Sequence, residues 1–201
     1  MSPDVVSFNS VLKAWKSDPA RALEFWEEEV GKLSKPNRPN IRSYNTFMLS
    51  LANVGMHESA VMLLRQMQTP ISAVVPDRIT HNTVLLSFLM SNDDNVAELA
   101  DSMLQEMHDS TYMEPDLVSF NSVIAVWAKH SDASKSLRRI EELLSELKDH
   151  DVLKPDVYSY TSTIQAYARK ATSKHRLHLS SRLKHLLDEM EEMGLYANKV
   201  T

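Results

Sequence analysis

A thirteen-residue pattern recurs five times along this 201-residue chain, and it limits the possible folds more than any other feature. The copies PDVVSFNSVLKAW, PNIRSYNTFMLSL, PDRITHNTVLLSF, PDLVSFNSVIAVW and PDVYSYTSTIQAY begin at Pro3, Pro39, Pro76, Pro115 and Pro155, at intervals of 36, 37, 39 and 40 residues. Self-similarity at such a period marks stacked supersecondary units rather than one closed core. A sixth copy starts at the end, where Ala197 and Asn198 stand in for the Pro-Asp pair.

Each copy reads as a helical hairpin. Proline cannot continue a preceding helix, and the Asp or Asn after it can cap the next one. Helix A follows with apolar residues at helical spacing, as in Val118, Val123, Ile124, Val126 and Trp127, or Tyr44, Phe47, Met48 and Leu51. Polar or glycine-containing breaks come next at Ser17 to Pro19, Val54-Gly55, Ser91 to Asp94, Ser131-Asp132 and Ala171 to Ser173. Helix B then carries a stripe of its own, for example Ala60, Leu63, Leu64 and Met67, or Leu99, Ala100, Met103, Leu104 and Met107. One hairpin cannot bury both stripes, so successive hairpins are expected to stack as a single superhelical array over 1–201. The repeats run 5–40, 41–77, 78–116, 117–156 and 157–198, with the start of a sixth at 199–201.

Composition agrees and excludes several chemistries. Three glycines are too few for a phosphate-cradling loop, and without cysteine there is no disulfide, thiolate zinc site or cysteine nucleophile. No His-Glu-x-x-His, nucleotide loop or nucleophile elbow occurs, so no catalytic residue, metal or cofactor is expected. His175, His178 and His185 share one flank of the last helix B, away from its apolar face, and read as solvated. The acidic runs Glu27 to Glu29, Glu141-Glu142 and Asp188 to Glu192 likewise read as solvated helix B surface, and Trp15, Trp26 and Trp127 as core. Neither a membrane span nor a targeting peptide is expected within these residues. Unprotected repeat faces at both ends lead us to expect neighbouring repeats outside them.

The aromatic-Asn pairs Phe8-Asn9, Tyr44-Asn45 and Phe120-Asn121, each preceded by Pro-Asp or Pro-Asn and an apolar residue, resemble the pentatricopeptide repeat family over essentially the whole chain. That resemblance implies an all-α, right-handed superhelical solenoid that binds single-stranded RNA one base per repeat. It places base recognition at Asn9 with Asn40, Asn45 with Asp77, Asn82 with Asp116, Asn121 with Asp156, and Thr161 with Asn198. Base stacking falls to Val6, Arg42, Ile79, Val118 and Tyr158, of which Arg42 departs from the apolar pattern. His81 replaces the usual aromatic in the third copy. The family's recognition rule then gives 5′-pyrimidine-U-U-U-A-3′, and the family's setting is mitochondrial or chloroplast RNA metabolism.

A net charge of −5 looks unfavourable for a polyanion ligand. The five helix A windows, however, contain seven Lys or Arg and no Asp or Glu, while all twenty-seven acids lie elsewhere. Lys13, Lys16, Lys129, Arg169 and Lys170 are therefore the expected phosphate contacts. The alternative is a protein-binding scaffold that uses the acidic helix B face.

Overall fold

The computed structural model describes residues 5–14, 18–30, 38–69, 72–170 and 176–196. Among them are ten α-helices and no strand: α1 (Val5–Ala14), α2 (Pro19–Val30), α3 (Ile41–Asn53), α4 (His57–Met67), α5 (Arg78–Met90), α6 (Val96–Asp109), α7 (Leu117–Lys129), α8 (Ala133–Asp149), α9 (Val157–Lys170) and α10 (Arg176–Glu192). Odd-numbered helices are the A helices of the five copies and even-numbered ones the B helices. Pro3, Asp4, Trp15, Lys16, Ser17, the turn at 171–173, His175, Asn198 and the sixth copy lie outside the described residues.

Helices α3, α5, α7 and α9 start by one mechanism. Pro39, Pro76, Pro115 and Pro155 are buried. The residue after each proline accepts the N–H three positions on, and the hydroxyl there accepts the cap residue's own N–H. The pairs are Asn40 with Ser43, Asp77 with Thr80, Asp116 with Ser119 and Asp156 with Ser159, at 2.8–3.2 Å throughout. Two orphan donors are satisfied reciprocally, and such a cap contributes roughly 1 kcal/mol. Ser43, Thr80, Ser119 and Ser159 are buried as a result.

The turn after α3 needs its glycine for two reasons. Gly55 has φ 73°, with Gly55 N–H donating to Ala52 O and Met56 N–H to Leu51 O, so the helix ends in a left-handed cap. A Cβ there would also lie 2.7 Å from the Met90 carbonyl oxygen at the end of α5.

The chain forms two compact units, 1–93 with 109–114, and 94–108 with 115–201. In the first, α1 packs on α3, α3 on α5, α2 on α3, and α4 on both α3 and α5. In the second, α7 packs on α9, α8 on both, and α9 on α10. Within each unit helix A thus meets the next helix A, and α4 and α8 are wedged against their own and the following helix A. The stripes supply these contacts: Ala60, Leu63, Leu64 and Met67 on α4, and Ile140, Leu143, Leu144 and Leu147 on α8, are buried. Trp26 stacks on Phe47 at 4.9 Å and meets Tyr44 edge-on at 4.7 Å, as expected of a core tryptophan. Trp127 is buried too, and its indole N–H reaches Asp101 at 3.1 Å.

Two residues depart from the expected stripes. Leu99 lies on the exposed flank of its helix, 45% accessible. Val118 also leaves the core, for a reason that belongs to the site.

Candidate nucleic-acid interface

The second residue of every helix A points outward. Val6, Ile79, Val118 and Tyr158 are 71, 63, 57 and 74% accessible, on helices whose other apolar positions are largely buried, and Arg42 is exposed as well. A row of apolar side chains held in water at one helical position calls for a partner surface. Three residues further on stand Asn9, Asn45, Asn82, Asn121 and Thr161, each half-buried. Spacing of three puts each amide or hydroxyl beside its exposed neighbour on one helix face.

Two of the amides are held by the next repeat. Asn121 donates through Nδ2 to Asp156 Oδ1 at 3.0 Å and accepts at Oδ1 from the Ser159 hydroxyl at 2.6 Å. Asn45 repeats the arrangement with Asp77 at 3.2 Å and Thr80 at 2.8 Å. Asp and Ser/Thr here are the cap and third residue of the following helix A, so the capping box doubles as a clamp on the preceding amide. Each amide keeps one N–H and one oxygen lone pair unused by the clamp, a donor and an acceptor for a base edge. Partial burial opposes ionisation of Asp77, but hydrogen bonds from the Thr80 N–H and hydroxyl and the Asn45 amide outweigh it and hold the carboxyl below its ordinary range.

The expected pair Asn9 and Asn40 is not joined in this way. Asn40 Oδ1 accepts from the Ser43 N–H and hydroxyl, while Asn9 Oδ1 is buried with no hydrogen-bond partner among the described residues. Asn82 lies in the first unit and Asp116 in the second. The partner assigned to Thr161, Asn198, is outside the described residues. His81 is buried in place of the aromatic, its Nδ1 3.0 Å from the Asp77 carbonyl oxygen.

Between α1 and α3 the helix A face opens into a cleft of about 430 Å³ lined by Val6, Asn9, Ser10, Lys13, Arg42, Thr46, Leu49 and Ser50. Val6, Asn9, Ser10 and Lys13 follow at intervals of three, one and three, so all four share one face of α1. The cleft therefore gathers an exposed valine, an asparagine amide and two cations. Lys13, Lys129 and Arg169 are exposed. Lys170 differs: its ammonium donates to the His130 carbonyl at the α7–α8 turn, and burial lowers its pKa despite Asp94 and Asp132 nearby.

Sequence reasoning missed two features. The clamp hydroxyls were visible as Asp-x-x-Ser/Thr at each helix start, but their second partner lies 35 or 38 residues upstream. Of the acidic runs read as solvated surface, Glu141 and Glu189 are instead paired with the neighbouring helix B, whereas Glu27, Glu28, Glu142, Asp188, Glu191 and Glu192 are exposed. In the second unit Asp101 meets Arg139 at 3.0 Å, His108 meets Glu146 at 3.3 Å, Glu98 pairs with Lys135, Glu141 meets Arg182 at 2.6 Å and Lys148 pairs with Glu189. These pairs tie α6 to α8 and α8 to α10. Only acid-base pairs about one repeat apart could have shown this. His185, exposed, sits 2.7 Å from Glu189.

Residues 42–69 match the family profile described as PPR repeat. Over 147 residues the chain is 26% identical to the chloroplastic pentatricopeptide repeat-containing protein At3g09650 of Arabidopsis thaliana, covering 71% of this chain and 18% of that protein. The fold is similar to the crystal structure of the pentatricopeptide repeat protein PPR10 from maize, with a TM-score of 0.71 and 20% identity over 99% of this chain and 26% of that one. It is also similar to PPR10 in complex with an 18-nt psaJ RNA element, at a TM-score of 0.69 and 21% identity over 98% of this chain and 26% of that one. The chain thus spans about a fifth to a quarter of these relatives. The repeat pattern, the paired helices and these likenesses agree: the chain carries a match to the pentatricopeptide repeat at 42–69 and has a fold similar to that of a pentatricopeptide repeat protein.

Proposed function

We propose that this chain binds single-stranded RNA along its helix A face, one base per repeat, with the base stacked on the second residue and read by the fifth. The observation that carries this is the pairing, on one face, of an exposed stacking side chain with an amide clamped by the next repeat, Val118 with Asn121 and Arg42 with Asn45. Aliphatic, aromatic and guanidinium surfaces all accept a base plane, and a fixed amide offers a donor and an acceptor to its edge. The basic residues of helix A supply sequence-independent attraction to phosphate. PPR10, whose fold this chain shares, has been crystallised with an RNA element, which supports the same reading here.

By the family rule the preferred sequence is 5′-pyrimidine-U-U-U-A-3′, read by one continuous array. An organellar role in RNA processing, stability or translation accords with the chloroplastic relative. A mitochondrial or chloroplast location therefore goes with the proposal. The scaffold alternative is weakened in the second unit, where much of the helix B acid is already paired within the chain.

Fluorescence anisotropy with labelled CUUUA-containing and matched GC-rich RNAs over a salt series tests this. Preferential binding of the U-rich probe, with log Kd rising linearly in log salt, is expected. Equal, salt-independent or absent binding overturns the proposal.

A further inference from the structure

We infer that the hydroxyls of Thr80 and Ser159, which begin one repeat, are positioning residues for the base read by the repeat before it. This rests on the RNA-binding reading above. Ser159 Oγ lies 2.6 Å from Asn121 Oδ1 but 3.1 Å from Asp156 Oδ1. A hydroxyl has one proton, and the shorter contact assigns it to the asparagine. Asp156 Oδ1 meanwhile takes the Asn121 Nδ2–H at 3.0 Å and the Ser159 N–H at 2.9 Å. The amide is thus gripped at both ends, nitrogen by a carboxylate and oxygen by a hydroxyl.

Two anchors fix a plane where one leaves a pivot. With both in place, the free N–H and the free lone pair of Asn121 face outward in a set order. Turning the amide over would set its carbonyl oxygen against the Asp156 carboxylate. Uracil presents an N–H between two carbonyl oxygens, whereas cytosine presents an amine, a bare ring nitrogen and one carbonyl oxygen. An amide of fixed order and tilt, facing a base fixed by stacking, matches one of these edges better than the other. Without the hydroxyl the amide swings about its Cβ–Cγ bond on the single contact to Asp156, and discrimination falls. Thr80 Oγ1 lies 2.8 Å from both Asn45 Oδ1 and Asp77 Oδ1, so its one proton serves the amide and the cap alternately at the second repeat.

Ser43 provides the control that separates this role from helix capping. It makes the same capping box, with Asn40, yet does not bond Asn9, whose Oδ1 has no partner among the described residues. Ser159→Ala, Thr80→Val and Ser43→Ala therefore all remove a cap hydroxyl, but only the first two release an amide. Thr80→Ser and Ser159→Thr retain the hydroxyl and are the conservative rescues.

The experiment measures, for each folded variant, the ratio of affinities for RNAs carrying U or C at the base opposite the repeat concerned. Ser159→Ala and Thr80→Val are expected to lower the U-over-C ratio about fivefold at the fourth and second bases, the worth of one hydrogen bond of ordinary strength. Ser43→Ala should leave the ratios at the second and fourth bases unchanged, and the rescues should keep the wild-type ratio. Unchanged ratios in Ser159→Ala and Thr80→Val overturn the inference, as does an equal loss at those bases in Ser43→Ala. Side-chain amide NMR of Asn121 in the RNA-free protein gives a second test. Faster exchange and averaging of its two amide protons in Ser159→Ala support the positioning role, and an unaltered signal overturns it. Should the wild type show no RNA binding, the proposed function fails while this NMR result still decides the role of the hydroxyl.

Discussion

The first and fourth repeats present one motif with two outcomes. Phe8-Asn9 and Phe120-Asn121 sit at the same position of helix A, and in both cases the following helix starts with a proline, a cap residue and a serine at the third position. Asn121 is held at both ends, whereas Asn9 has a buried oxygen with no partner among the described residues. The difference at the nitrogen end follows from the cap. A carboxylate is acceptor-only, so one oxygen of Asp156 serves the helix N–H and the upstream amide together. Asn40 has a single acceptor oxygen, already taken by the Ser43 N–H and hydroxyl, and its other end is a donor. At Asn45 and Asn121 a carboxylate cap therefore accepts from the preceding amide, and the amide cap at Asn40 does not take that place for Asn9.

The largest effect is expected from removing the clamp altogether. Asp156→Ala should lower stability by about 1–2 kcal/mol through loss of the cap, read by urea denaturation, and should abolish U-over-C preference at the fourth base. Asn40→Ala, by contrast, should cost stability with little change in base choice. Retained selectivity in Asp156→Ala would break the comparison. Converting one site into the other should sharpen it. Asn40→Asp is expected to accept from the Asn9 side-chain N–H, as Asp156 accepts from Asn121, and to shift the first base from either pyrimidine toward uracil.

Acid should weaken the Asp77 cap. The pKa of Asp77 is lowered in the folded chain, so its contribution is fully present above the unfolded value of about 3.9 and is lost as pH falls through the lower folded value. Glu141 and Glu189 behave alike: burial opposes ionisation, but Arg182 and Lys148 outweigh it and keep both carboxyls low. Urea midpoints should therefore fall between about pH 5 and pH 2, with a shallower acid limb in Asp77→Asn. An identical limb would show that Asp77 is not coupled to folding. The smallest effect concerns the cations. Lys13→Ala should reduce the slope of log Kd against log salt by about 1, while Lys170→Ala, whose ammonium is already bound to the His130 carbonyl, should leave it unchanged.

How much of this was legible beforehand depends on the range of the interaction. Helix starts were readable because Pro39, Pro76, Pro115 and Pro155 and the cap after each act within four residues. The exposed row at Val6, Ile79, Val118 and Tyr158 was expected from family resemblance, whereas periodicity alone put Val118 in the core stripe. The clamp was not legible, because Asn45 meets Asp77 and Thr80 only after one helix A packs on the next. The ion pairs between Glu141 and Arg182, or Asp101 and Arg139, were hidden for the same reason: acid runs on one helix B look solvated until the next supplies its bases.

The central claim, that a clamped amide on helix A reads a base, is tested most directly by the affinity of the intact chain for CUUUA RNA and for the same RNA with cytosine at the fourth base. The clamp at Asn121 predicts weaker binding of the cytosine probe by about tenfold, the lower range for a bidentate base contact, and loss of that difference in Asn121→Ala. Equal affinities in the wild type, or a difference that survives Asn121→Ala, would contradict it.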